Sequence, residues 1–71
     1  MLIADLNIGD IVMKVGDEHK YVVTSLKPIR GINGYVGLLG PYGNGEDVWI
    51  NFIVGKVGHI DISYVFDELR K

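Results

Sequence analysis

The chain contains no cysteine. Disulfide bridges and thiolate zinc sites, which stabilise many small domains, are therefore excluded. The absence of cysteine is also most simply consistent with a protein of a reducing compartment. The burial of apolar side chains has to supply the stability instead. With 71 residues, 48% of them hydrophobic and 23% charged, the composition is that of one small globular domain covering residues 1–71.

Positive charge is also scarce. Seven lysines and arginines face nine aspartates and glutamates, for a net charge of −2. A basic excess is the usual footprint of a protein that binds nucleic acid or an anionic membrane, so the charge favours neither partner. The apolar runs are far shorter than the roughly 20 residues that span a bilayer, and the N-terminal MLIADLNIGD lacks the basic start of a secretory signal. We therefore expect a soluble cytoplasmic protein.

The chain contains only two prolines but ten glycines, which commonly mark turns. Asn33-Gly34 and Asn44-Gly45 are dipeptides favoured in two-residue hairpin turns, because both residue types tolerate a positive φ. We therefore predict a positive φ at Gly34 and Gly45. Gly37 falls inside a strand pattern, which predicts a bulge or a tight bend there.

Segments of alternating or β-branched residues lie between the turn signals, and they predict strands at 10–15, 20–26, 35–39, 47–54 and 57–62. Pro28 is expected to end the second strand, and residues 55–56 are expected to turn the chain into the fifth. Ser63 can cap a short helical turn over 64–69, and a closing strand fits the same residues equally well. The alternation predicts a core that includes Ile11, Met13, Val22, Leu38, Ile50, Phe52 and Ile60.

Five short antiparallel strands in so few residues favour closure, since a small open sheet leaves an apolar face and two edges exposed. IGDIV at 8–12, DVWINF at 47–52 and GKVGHI at 55–60 resemble the strand pattern of SH3-like barrels, including the KOW and Tudor-type members. We predict an all-β, small SH3-like barrel with one short helical turn near the C-terminus. Over its full length the chain also resembles the YorP-like small uncharacterised proteins of Bacillus, which implies a phage or prophage origin and no reaction.

Aromatic residues supply the candidate binding site. Alternation in the fourth strand places Trp49 on the face opposite the apolar side chains, together with Asn51. Tyr35 and Tyr42 are expected close to Trp49. We predict that Trp49, Tyr42, Tyr35 and Asn51 form a patch for a protein partner. The alternative is that Trp49 covers a second apolar cluster on the outside of the barrel.

No catalytic or metal-binding constellation emerges from the sequence. His59 and Asp61 share a strand face, and His19 follows two acidic residues, but two ligands do not complete a transition-metal site. No serine or threonine lies in a nucleophile elbow such as G-x-S-x-G. We therefore expect no enzyme activity, no catalytic residue, no bound metal and no cofactor.

Three functions remain open. We favour a non-enzymatic module that engages an unidentified protein or peptide, such as a polyproline II segment, through the aromatic patch. A nucleic-acid binder would stack bases on the same aromatics and use a local basic patch made of Lys14, Lys20, Lys27 and Arg30. KOW-type modules carry basic residues around the first hairpin, where this chain has GDE at 16–18. The third is a purely structural role, in which the protein acts as a homodimer or as a minor component of a phage particle.

Overall fold

The computed structural model describes residues 1–40 and 43–61, and most of them belong to one antiparallel sheet. Its strands are β1 (Asp10–Lys14), β2 (Lys20–Arg30), β3 (Asn33–Leu39), β4 (Gly45–Trp49) and β5 (Ile53–His59). They lie in the order β4-β3-β2-β1-β5. Single 3-10 turns occupy Ile3–Asp5, before β1, and Ile50–Phe52, between β4 and β5. The predicted all-β class with five strands is confirmed, and the helical turn predicted at 64–69 lies outside the described residues.

The core lies on one face of the sheet. Its buried apolar side chains are Ile3, Leu6, Val12, Val23, Val36, Leu38, Ile50 and Ile53. The described residues include no α-helix, so within this part of the chain the apolar face of the sheet is covered by the sheet itself and by its 3-10 turns. The N-terminal 3-10 turn helps, and it is held by a hydrogen bond of 3.0 Å from the Ile3 N–H to the Ile32 carbonyl.

The sheet is strongly curled. Lys14 of β1 donates a hydrogen bond to the Glu46 carboxylate of β4, although β2 and β3 lie between those strands. Three strand spacings of about 4.8 Å would hold the two backbones roughly 14 Å apart in a flat sheet, close to the full reach of both side chains. Ile53 of β5 and Val36 of β3 also share the buried cluster across two intervening strands. The bond and the shared cluster both indicate that the outer strands bend towards each other.

The core face of β1 and β2 is the opposite of the predicted one. Leu38 and Ile50 are buried as predicted, but Ile11, Met13, Val22 and Ile60 are only half-buried. The fully buried residues are instead their neighbours Val12 and Val23. Both faces of these strands are apolar, and a two-residue period defines two faces without showing which one meets the core.

Phe52 is 55% exposed because β4 is shorter than the alternation predicts. The strand ends at Trp49, and a 3-10 turn follows before Ile53 begins β5. A period of about three residues replaces the period of two, so Ile50 and Ile53 both reach the core while Phe52 faces outward. The turn predicted at 55–56 is also wrong, since these residues lie inside β5.

The β2–β3 hairpin turns at Gly31 and Ile32. Arg30 pairs with Asn33, so the two residues between them form the loop. Gly31 has a φ of +56°, whereas Ile32 has none of the positive φ that the predicted Asn-Gly turn would need. A positive φ at the first loop position only is the type II′ geometry, which favours glycine there.

Gly34 and Gly45 lie in β3 and β4 and do not have a positive φ, so both predictions are wrong. In the second loop the positive φ is at Gly43. Pro28 does not end β2 but pairs with Gly34, and the register shifts just after it. A bulge beside the proline accommodates its missing N–H.

Candidate functional site

Tyr35 and Trp49 face each other across the β3–β4 pair. Their ring centroids are 4.9 Å apart and their planes meet at 72°, the edge-on contact that aromatic rings favour. Directly opposed residues point to the same side of a sheet, here the side away from the buried Val36. Tyr35 is 42% exposed and Trp49 is half-buried. The predicted contact between the two residues and the partial exposure of Trp49 are confirmed.

Two charged residues extend this aromatic pair. Lys27 of β2 pairs with Tyr35, and Asp47 lies two residues before Trp49 in β4, so all four share the outer face. Lys27 Nζ is 2.7 Å from Asp47 Oδ2, and both side chains are about half exposed. An exposed ion pair adds only about 0 to 1 kcal/mol of stability. Its effect here is to order two polar side chains beside the rings. We call Lys27, Tyr35, Asp47 and Trp49 the outer patch.

Gly37 forms the floor of the outer patch. It pairs with Asp47 on one side and with Ser25 on the other. A Cβ at this position would collide with the Ser25 hydroxyl and lie 3.1 Å from Oγ1 of Thr24, so glycine leaves room for these two side chains beside β3. The bulge predicted at Gly37 lies opposite it, where the register of β2 shifts between Val23 and Ser25. At this point of the outer face, β3 therefore has no side chain between Ser25 and Asp47.

The other two predicted site residues are placed differently. Asn51 is exposed in the 3-10 turn that follows β4, so the prediction that it shares a strand face with Trp49 is wrong. Tyr42 lies outside the described residues. Lys27 joins the patch through the β2–β3 register, which sequence reasoning missed because no local signal in β2 shows which residue will oppose Tyr35.

The basic patch expected of a nucleic-acid binder is not formed. Lys14 and Lys27 are each engaged by a carboxylate of β4. Lys20 and Arg30 are the first and last residues of an eleven-residue strand, so they are roughly 30 Å apart at about 3.3 Å per residue. The four basic residues therefore do not make one positive surface.

A cluster around Lys14 lies at one end of β1. Its ammonium group contacts Glu46, is 3.9 Å from Asp17, and lies 4.4 Å from the Tyr21 ring centroid. The hydrogen bond to Glu46 raises the pKa of Lys14. Hydrogen bonds from the Tyr21 hydroxyl and the His19 backbone N–H lower the pKa of Asp17 to about 2. These contacts link β1, β2 and β4, so the cluster has a structural role in holding the three strands together.

The other end of β1 holds a buried carboxylate that sequence reasoning missed. Asp10 is 2% exposed, accepts the Asn7 backbone N–H at 2.7 Å, and lies 2.9 Å from Nδ1 of His59. The ammonium group of Lys56 is 3.7 Å away. Burial raises the pKa of Asp10, but the hydrogen bonds and the nearby positive charge outweigh it and lower the pKa below its usual 3.8. The His59 ring in β5 is therefore in hydrogen-bond contact with a carboxylate of β1.

Replacing Asp10 by asparagine should destabilise the fold by about 1 to 3 kcal/mol, because it weakens a buried, charge-assisted group of hydrogen bonds. The folded pKa of Asp10 lies below its unfolded value, so its stabilisation is present above the unfolded pKa and is lost as the pH falls through the folded pKa. Urea titrations between about pH 5 and pH 2 should therefore show a smaller loss of stability in Asp10→Asn than in the wild type.

The matched control is Glu18→Gln, which removes an exposed carboxylate in the β1–β2 loop. Its stability should follow that of the wild type over the same pH range. Parallel pH curves for Asp10→Asn and the wild type would contradict the role given to Asp10.

In the described part of the chain, no group of three or more histidine, cysteine, aspartate or glutamate side chains is arranged to hold a metal ion. The same residues form no helix with the length and hydrophobicity needed to cross a membrane. The chain matches no protein-family model, no curated protein and no solved structure. The features that bear on function are therefore structural ones, namely the outer patch and the two clusters at the ends of β1.

Proposed function

We propose that the chain is a non-enzymatic, cytoplasmic binding module that engages a protein or peptide through the outer patch, with Asn51 and Tyr42 as further contact residues expected from the sequence. The edge-on pair of Tyr35 and Trp49 is the observation that carries this function. Aromatic residues supply most of the binding energy in many protein interfaces, and these rings retain apolar area that a partner can cover. The ion pair of Lys27 and Asp47 adds a polar rim beside them.

We also propose that the fold is an SH3-like barrel and that the chain is a YorP-like protein of phage or prophage origin. The strand order supports a barrel, because it sets β1 and β5 side by side. The bond between Lys14 and Glu46 supports it further, since it brings the β4 edge towards β1. Nuclear Overhauser contacts between side chains of β4 and β1 across the core would test whether the sheet curls into a barrel, and their absence would favour an open, flatter sheet.

Trp49→Ala should weaken partner binding about thirtyfold, which corresponds to about 2 kcal/mol for the loss of a central aromatic anchor. The partner is first captured from a Bacillus lysate on the wild-type protein, and its affinity for each variant is then measured by calorimetry. Val57→Ala is the matched control, since Val57 is also exposed but lies in β5, at the opposite edge of the sheet from β4.

Equal affinity of the wild type and Trp49→Ala would contradict a role for the outer patch in protein binding. Titration with single-stranded DNA and RNA over a range of salt concentrations provides the opposing test. A salt-sensitive micromolar affinity that depends on Trp49 would favour the nucleic-acid binder instead.

A further inference from the structure

The two edges of the described sheet, β4 and β5, differ in regularity. β5 pairs with β1 through two register shifts, between Ile11 and Val12 and between Met13 and Lys14. Such bulges twist an edge and hinder the addition of another strand. β4 pairs with β3 in unbroken register over all of its five residues. Of the two edges, β4 is therefore the one suited to accept a further strand.

The charges on β4 are held by neighbouring strands. Glu46 is bonded by Lys14 of β1, and Asp47 is bonded by Lys27 of β2. Charged side chains commonly protect an edge strand from pairing, because covering an unpaired charge is costly. Each carboxylate here has a cation beside it but remains about half exposed. It therefore still disfavours an acidic strand, whereas it can accept a further hydrogen bond from a basic one.

Both faces of β4 leave apolar area uncovered at the edge. Val48 packs against the core but is only half-buried, and Trp49 is half-buried on the outer face. Alternate side chains of an added strand point to opposite faces of the sheet. One extended segment would therefore cover Val48 and Trp49 at the same time.

We propose that β4 accepts an extended segment of the partner protein as an additional strand beside the outer patch. This mode of recognition rests on the proposed function, because Trp49 belongs to both. Main-chain hydrogen bonds along β4 would supply affinity, and the side chains of alternate residues would supply specificity.

The charge on β4 selects the occupant. Antiparallel pairing of two copies of β4 about its central residue would set Asp47 opposite Asp47, and like charges in that position are destabilising. A partner segment avoids this repulsion when it places arginine or lysine beside Asp47 and an aliphatic or aromatic residue beside Trp49, on the same face. The partner segment is therefore an extended, basic and apolar peptide rather than a second copy of the chain.

The test uses peptides selected from a random phage-display library on the wild-type protein and counter-selected on Trp49→Ala. The tightest peptide is synthesised in two N-methylated forms, one methylated at odd positions and one at even positions. Only one edge of an added strand bonds β4, so one form should lose affinity by about tenfold or more while the other retains it. Hydrogen exchange of the β4 amides that point away from β3 should slow when the unmodified peptide binds, whereas the amides bonded to β3 should change less.

The outcomes separate the two proposals. If no selected peptide depends on Trp49, the proposed function fails and the strand addition fails with it. If peptides depend on Trp49 but both methylated forms have equal affinity, the outer patch stands and strand addition is overturned. Slow exchange in the free protein of those β4 amides that point away from β3 overturns it too, because the edge is then already occupied. A dimer held by β4 in both copies would overturn the choice of occupant.

Discussion

Leu38→Ala should lower the free energy of unfolding by about 2 to 5 kcal/mol. The side chain is 1% exposed, and its removal leaves a cavity in a closely packed core. Small domains have a total stability of only about 5 kcal/mol, so a loss near the upper end would leave the variant largely unfolded. Urea denaturation followed by circular dichroism measures the change.

The matched control is Phe52→Ala, which removes a larger side chain from an exposed position in the 3-10 turn. It should cost less than about 1 kcal/mol, because substitutions outside the core have small effects. Strict alternation through 47–54 would place Phe52 in the core and predicts a large cost. A greater loss of stability in Phe52→Ala than in Leu38→Ala would therefore contradict the observed end of β4 at Trp49.

Gly34→Ala should destabilise the fold by roughly 3 kcal/mol, the upper end of the usual cost of overpacking. The φ of Gly34 is not positive, so the backbone conformation is not what requires glycine here. The expected loss of stability comes from the close approach of β2. A Cβ would collide with the Lys27 carbonyl oxygen and lie 2.7 Å from Cα of Pro28. Both are backbone atoms held by the strand pairing, so β2 and β3 would have to separate. Thermal and urea unfolding measure the loss.

Gly55→Ala is the control for this prediction. Gly55 also lies in a strand, but a Cβ there would meet no atom within 4 Å, and its φ is not positive. Its stability should change by no more than about 0.5 kcal/mol. Similar losses in Gly34→Ala and Gly55→Ala would show that the cost reflects glycine replacement in general and not the contact with β2.

The number and type of the strands could be predicted because turn residues and β-branched segments are local signals. The choice of core face could not. Ile11, Val12 and Met13 are all apolar, so either face of β1 could meet the core on hydrophobicity alone. Packing against Val23 and Val36 decides between them, and this depends on residues that are distant in the sequence.

The candidate site could likewise be predicted only in part. Trp49 and Tyr35 could be named because both are aromatic residues in predicted strands, and alternation placed Trp49 opposite the apolar face. The positions of Lys27 and Asn51 depend on a bulge in β2 and on a 3-10 turn that interrupts the two-residue period. The contact of Asp10 with His59 depends on the β1–β5 pairing, for which the sequence has no local signal.

The pairing of β1 with β5 also sets the order in which the protein can be assembled during translation. Asp10 and His59 are 49 positions apart, whereas β2 and β3 are joined by a two-residue loop. The central hairpin can therefore form while the ribosome is still extending the chain, but β1 has no partner on its second edge until β5 has left the exit tunnel. The buried cluster that holds Val12 and Val23 also contains Ile53 of β5, so it is incomplete while β5 is still being made. The interval before β5 emerges is therefore the period of greatest aggregation risk.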